Sequence, residues 1–450
     1  EHMKPRQRHD DGSQDLFRSR LDNIVSPRHE LVRLAAAIDW HRFDEAFEPL
    51  FGDTGNPALP TRLMVGLQIL KYMYGLSDPE VTARWVENPY YQHFCGEIYF
   101  AHEAPFDRSS MTRWRQRLGD EKLAELVKES LAVAGRTGAL RPQDTRRVTV
   151  DTTVQPKNIA FPTDARLLYT SILRLGRLAR RHGVELRQSY VRVGKKALIR
   201  AGRYAHAKQF RRHQREVKFL RTRLGRVIRD IRRKIDGNAA LEETFGPELN
   251  QARRLRNQKR RQVGPKIYSC HAPETECIGK GKAAKPYEFG CKVSITTTNK
   301  TAAGGMFVLH AKALHGNPYD GHTLAPVIEE LTEWIGARPE RIYVDKGYVG
   351  HKLEAPLAVY RSGQKRGVTP QIKRELRRRS AIEPIIGHVK SEHRMERNYL
   401  KGRAGDCINA VLAAAGFNFK QLANWLSNLL RNWLANFIAP ISLNAVCNAR

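Results

Sequence analysis

Arg147-Val-Thr-Val-Asp-Thr-Thr-Val154 is the stretch on which the fold of this chain turns. Apolar and polar side chains alternate along it with the period of two that a half-buried strand requires, and Asp151 stands at its apolar end. The sequence ahead of it reads as helix. Leu63, Leu67, Leu70 and Tyr74 recur at helical spacing after Pro60, and Ser77-Asp-Pro-Glu80 has the layout of a capping box. Asp107 to Gly119 reads as a further helix carrying Arg108, Arg113, Arg115 and Arg117. It suits either a recognition helix that places Arg113, Arg115 and Arg117 on DNA, or a solvated basic face over a core formed by Trp114 and Leu118.

Beyond the strand, residues 166–262 hold 29 Lys and Arg against 7 Asp and Glu, so this segment supplies +22 of the chain's net charge of +32. Leu175, Leu178, Val217, Leu220, Leu224, Ile228, Ile231 and Ile235 recur every three or four residues, which predicts helical hairpins with one apolar stripe and basic outer faces. Arg211, Arg212 and Arg215 are candidates there for gripping a phosphate backbone. Strand patterning returns at Tyr287–Thr298 and Gly305–Leu314. A helix over Asp320–Ile335 then leads into Arg341-Ile-Tyr-Val-Asp345. An edge strand is expected near Val368–Ile372, a helix from Ser380 to about Arg397, and a final helical stretch with Trp425 and Trp433 as packing anchors. The fold class is α/β.

A sequence pI near 10.2 calls for a polyanionic partner, although a ribosomal or membrane-surface protein would satisfy the charge alone. No stretch approaches the ~20 apolar residues of a membrane span and no signal peptide is evident, so a cytosolic protein is expected. Glu1-His2 reads as a tag remnant ahead of Met3. Six cysteines scattered without CxxC spacing argue against a disulfide framework or a zinc ribbon.

Three carboxylates stand out by position: Asp151 and Asp345 at the ends of apolar strands, and Glu383 in the first turn of a helix. Carboxylates beside apolar strands need a compensating charge, and a hard divalent cation is a natural one. Two such ions roughly 3.5–4 Å apart can activate water and stabilise the leaving oxygen of a phosphodiester. Each residue also has an ordinary structural role open to it. Asp151 could cap a turn, Asp345 could pair with Lys346, and Ser380-Ala-Ile-Glu383 is a capping-box sequence. Arg379, Glu383, Gly387, Lys390 and Arg394 would share one polar helix face opposite Ile382, Ile385, Ile386 and Val389.

Arg378-Arg-Ser-Ala-Ile-Glu-Pro-Ile-Ile-Gly-His-Val-Lys390, Asp345-Lys-Gly-Tyr348 and Val150-Asp-Thr-Thr153 together resemble the bacterial insertion-sequence transposases of the family numbered five. The resemblance runs from about Phe51 to Gly402. It implies an RNase H-like core with Asp151, Asp345 and Glu383 as catalytic and metal-holding residues, two Mg2+ ions per site with Mn2+ as a substitute, and a homodimer on double-stranded DNA. The DNA would be the element's terminal inverted repeats and a target, in a bacterial cytoplasm where the protein associates with the nucleoid. Arg379, Lys390, Arg394 and Lys346 become DNA-contact candidates. Leu376 stands where the family signature has tyrosine. The implied domains are a tag remnant and flexible N-terminus at 1–15, a helical DNA-binding domain at 16–140, and the core at 141–165 and 263–402. The basic insertion is 166–262, and C-terminal helices occupy 403–450. A nuclease that cuts without strand transfer, and a DNA-binding relic with a dead site, are the rival readings. His315-Gly-Asn-Pro-Tyr-Asp320-Gly-His322 reads first as a loop entering a helix, with a zinc site or an active-site lining as alternatives.

Overall fold

The structure, a computed structural model, describes residues 2–5, 18–52, 54, 56–259, 262, 264–279, 286–351, 353 and 357–447. Most of the expected flexible N-terminus, and the side chain of Trp433, lie outside the described residues. The chain forms two compact units, one of Glu1–Pro156 with Cys291–Arg450 and one of Lys157–Gly290. Among the described residues no helix is long and apolar enough to cross a membrane.

The strands of the main sheet are β1 (Arg147–Pro156), β2 (Glu276–Gly279), β3 (Tyr287–Thr298), β4 (Val308–Leu314), β5 (Arg341–Val344) and β6 (Ala358–Arg361). Within the first unit β3 lies between β1 and β4, antiparallel to β4, and β1 continues through β5 to β6 in parallel register. Val148, Val150, Ile342 and Val344 are fully buried, as parallel strands covered on both faces require. The first unit's helices share this core, which runs from Leu31 to Leu426. The C-terminal helix Gly402–Cys447 packs on the N-terminal helices Glu30–Ala37, Thr61–Met73, Arg108–Leu123 and Glu125–Arg136 and also on β4. The N-terminal helices, sheet and C-terminal helix are therefore one packed body. The boundaries implied at residues 140 and 402 both fall within this unit.

The capping box at Ser77 is formed, with Glu80 N–H donating to Ser77 Oγ and Ser77 N–H to Glu80 Oε2. Asp107 caps its helix through the Ser109 N–H, and Gly119, with non-helical backbone at φ 69° and ψ −175°, ends it as expected before a second short helical run to Leu123.

In the second unit the helices Asp164–Arg181, Val191–His206, Phe210–Ile235 and Ala239–Asn257 enclose their own core. Every member of the expected apolar stripe is in it: Leu175, Val217, Leu220, Leu224, Ile228, Ile231 and Ile235 are buried, with Leu178 packed against them. The period of 3.6 decided this face because these long helices have one covered side. Strand β2, paired with the Tyr287–Gly290 part of β3, also belongs to this unit and was not anticipated.

Three expectations fail around the last sheet strand. The edge strand lies at Ala358–Arg361. Val368–Ile372 instead leads into the helix Pro370–Arg378, because Thr369 Oγ1 accepts the Ile372 N–H and Pro370 takes the first helical turn, where its missing N–H costs nothing. The helix expected to reach Arg397 is Ile382–Ser391, and Arg394 beyond it adopts φ 66° in a turn. Ser380 does not cap the helix, since its hydroxyl donates to the Arg377 carbonyl.

Candidate active site

Asp151 lies in the middle of β1, five residues before its end, rather than at its terminus. Its Oδ1 accepts the Thr152 N–H at 2.8 Å, and its Oδ2 faces Arg379 at 3.5 Å. Asp345 directly follows β5, the parallel neighbour of β1, so the two aspartates issue from adjacent strands. Arg379 also reaches Asp345 Oδ1, at 3.8 Å, and so stands between the two carboxylates. Four residues on, Glu383 occupies the first turn of Ile382–Ser391, a helix packed against β1.

Buried Glu375 sets the position of Arg379. Its carboxylate receives Arg341 Nη1 at 2.9 Å, Arg147 at 3.1 Å, Gln371 at 3.1 Å and the Tyr343 hydroxyl. Those partners sit on β1, on β5 and on the helix itself, so one ion cluster clamps the helix to both aspartate-bearing strands. Asn299 adds a bond to the Glu375 carbonyl at 3.1 Å and one to Thr149 Oγ1 at 3.1 Å.

A third carboxylate joins the group. Asp320 Oδ1 accepts Thr152 Oγ1 and Lys292 Nζ, each at 3.1 Å. Gly321 makes this possible. A Cβ there would stand 2.3 Å from the Val349 carbonyl oxygen, so only glycine lets the start of the Asp320–Ile335 helix approach the turn after Asp345. Burial pushes the Asp151 pKa up to about 6. The Thr152 N–H and Arg379 oppose that rise, and Asp345 and Asp320 add to it. The buried Tyr348 hydroxyl, beside Thr152, is likewise raised well above its usual value, by burial and then by Asp320, Asp151 and Asp345. An acid held this far above its ordinary range by burial and like charge marks a place where a cation is favoured. The donors are all oxygen, which suits a hard divalent ion, so the residues present fit such a metal.

The comparisons with known proteins meet this geometry. Residues 19–117 match the model of a Transposase domain (DUF772) and residues 264–419 that of a Transposase DDE domain. The chain therefore carries a transposase domain and a transposase DDE domain. Asp345 and Glu383 fall inside the DDE match, and Asp151 lies in the segment between the two matches. A relative from Rhizobium meliloti, described as uncharacterized protein ORF8 in nfe locus, is 57% identical over 208 residues, which is 46% of this chain and the whole of the relative. No solved structure matches the chain.

The basic residues expected on DNA fall into different groups. Arg115 is corrected outright. It is 2% exposed and donates to Asp78 through Nη1 and Nη2, at 3.0 and 2.6 Å, beside buried Lys71. Arg113 and Arg117 are exposed on the same helix, Arg117 lying 5.3 Å over the Phe51 ring. Arg394 does not share the Glu383 helix face. It donates to the Gly75 carbonyl at 3.1 Å and stacks on Tyr399. Lys346 is exposed beside Asp345 and Lys390 is half-buried. Arg211, Arg212 and Arg215 are exposed on the Phe210–Ile235 helix of the second unit. The His315–His322 cluster separates: Asp320 joins the aspartates, His315 turns to Cys291, and His322 is exposed against Tyr319. Sequence reading had placed Asp320 near a possible site but gave no reason to join it to Asp151, and it missed Thr152, Lys292 and Tyr348.

Proposed function

We propose that this chain is a DDE transposase that binds the terminal inverted repeats of an insertion sequence of the family numbered five. It would cleave DNA at the element ends and join the freed 3'-hydroxyl to target DNA. The observation that carries the reading is the placement of Asp151 and Asp345 on either side of Arg379, one helical turn from Glu383. An RNase H-like core is supported by Asp151 on the first strand, Asp345 after a later parallel neighbour and Glu383 on a late helix.

Asp151, Asp345 and Glu383 would hold two divalent cations, Mg2+ or Mn2+. When bound, such ions supply an activated water and a counter-charge for the leaving oxygen. Asp320 would hold Thr152 and Lys292 in line beside Asp151. Arg379 keeps the Asp151 carboxylate in its ionised, ligand form. The Glu375 cluster fixes the backbone from which Arg379 projects. Exposed cations on both units would neutralise phosphates and release counterions. A homodimer follows from the need to act on two element ends.

The test is joining of labelled element-end DNA to a plasmid in Mg2+ or Mn2+, with DNA binding measured in parallel. Joining that vanishes in Asp151→Ala, Asp345→Ala and Glu383→Ala while binding persists supports the proposal. Cutting without joining selects a nuclease, and binding without metal-dependent cutting selects a DNA-binding relic.

A further inference from the structure

Away from the catalytic carboxylates, Cys291, His315 and Asp406 bring a thiol, an imidazole and a carboxylate together, with one ligand atom of each within 4.8 Å of the others. Cys291 opens the first-unit part of β3, His315 follows β4, and Asp406 lies near the start of the C-terminal helix. Three elements far apart in sequence thus converge on one point. Cys291 and Asp406 are 1% and 2% exposed. Cys291 Sγ stands 3.4 Å from His315 Nδ1. With zinc bonds of about 2.3 Å to sulfur and about 2.0–2.1 Å to nitrogen at a tetrahedral angle, two ligands of one ion stand about 3.5 Å apart. The groups that orient such ligands are also present. Asn398 Nδ2 donates to Asp406 Oδ1 at 2.7 Å, and Cys407 Sγ lies 3.7 Å from His315 Nε2, across the ring from Cys291.

We propose that Cys291, His315 and Asp406 form a three-ligand site for a borderline divalent cation, zinc by chemistry, distinct from the all-oxygen carboxylate centre. The thiolate selects against Mg2+, and water completes the tetrahedron. On binding, the Cys291 thiol gives its proton to solvent and forms the sulfur–metal bond. The site ties β3, the loop after β4 and the C-terminal helix at one point. Lys292 follows Cys291 directly and Asp320 lies five residues beyond His315, so the ion would brace the pair that meets Thr152 at the catalytic carboxylates. The proposal does not rest on the transposase reading.

The test uses the full chain, stripped of metal by a chelator and held in excess Mg2+ so that the carboxylate centre is saturated, then titrated with Co2+. About one Co2+ per chain should bind with a thiolate-to-cobalt charge-transfer band, and Zn2+ should erase it. Cys291→Ser should remove the band, while a chain with Cys95, Cys270 and Cys277 replaced by serine should keep it. Asp406→Asn and His315→Gln should weaken Co2+ binding by at least roughly tenfold, and they decide the matter if Cys291→Ser does not fold. No band in the parent, a band that survives Cys291→Ser, or unchanged affinity in both folded ligand variants overturns the proposal and leaves a thiol–imidazole hydrogen bond.

Discussion

Asp151 carries the electrostatic cost of the candidate site. Its folded pKa of about 6 lies above the ordinary 3.8. The stability linked to its proton is therefore fully present below pH about 4, declines as pH rises, and is gone above about 6. Asp151→Asn should accordingly stabilise the metal-free chain at pH 8 by up to about 3 kcal/mol, with little gain at pH 4, in denaturant titrations at the two pH values. The same substitution should cut metal-dependent cleavage by more than ~100-fold, since loss of a ligand exceeds the effect of losing its supporting partners. Arg379 pulls the Asp151 pKa down, so Arg379→Gln should move the acid limb of Mg2+-dependent cleavage to higher pH. An acid limb that stays in place would show that Asp151 does not limit the reaction.

Among the elements, the C-terminal helix holds the first unit together through polar groups as well as apolar ones. Asn418 caps the buried start of β4: its Oδ1 accepts the Val308 N–H at 2.9 Å and its Nδ2 donates to the Val308 carbonyl at 2.8 Å. Asn418→Leu would strand both backbone groups and should cost about 2–3 kcal/mol, read from the shift of the chemical denaturation midpoint. Gly416 permits the close approach of this helix to Thr61–Met73, since a Cβ there would stand 2.6 Å from the Tyr72 backbone. In the N-terminal helices, Asp78 is the counter-ion for Lys71 and Arg115. Burial raises its pKa, but hydrogen bonds and charge from those two partners bring it down to about 2. Its stabilisation is present above pH about 4 and is lost as pH falls through about 2. Asp78→Asn leaves the buried Arg115 guanidinium uncompensated, while Lys71, already lowered by burial to about 7, loses its proton; it should destabilise by about 3 kcal/mol at pH 7, and unfolding curves compared with Asp44→Asn would check it.

For the whole molecule the distribution of charge governs the interaction with DNA. The Phe210–Ile235 helix buries one apolar stripe and leaves Arg211, Arg212 and Arg215 exposed. If all three meet phosphates, their joint replacement by alanine should lower the slope of log binding constant against log salt by roughly 2–3, with no loss of the folded helical signal. An unchanged slope would place DNA elsewhere. The basic helical unit was legible in the sequence because a 3.6-residue stripe such as Leu220, Leu224, Ile228 and Ile231 is a local property of the chain. Asp345 and Glu383 were singled out for the same reason, each lying at the edge of a regular element. Arg115 was misread because its partner Asp78 lies 37 residues away, and only packing reveals that its charge is already matched.

Periodicity, capping residues and charge imbalance by themselves determined an α/β chain with a basic helical segment, and singled out Asp151, Asp345 and Glu383. Tertiary structure alone decided that Arg379 stands between the two aspartates, that Asp320 joins them, that Arg115 is buried, and that Cys291, His315 and Asp406 meet. The difference has a physical cause. Backbone preferences and apolar spacing act over a few residues, whereas the energy of a charge or ligand depends on which distant groups share its low-dielectric surroundings, and those are fixed only when the elements pack.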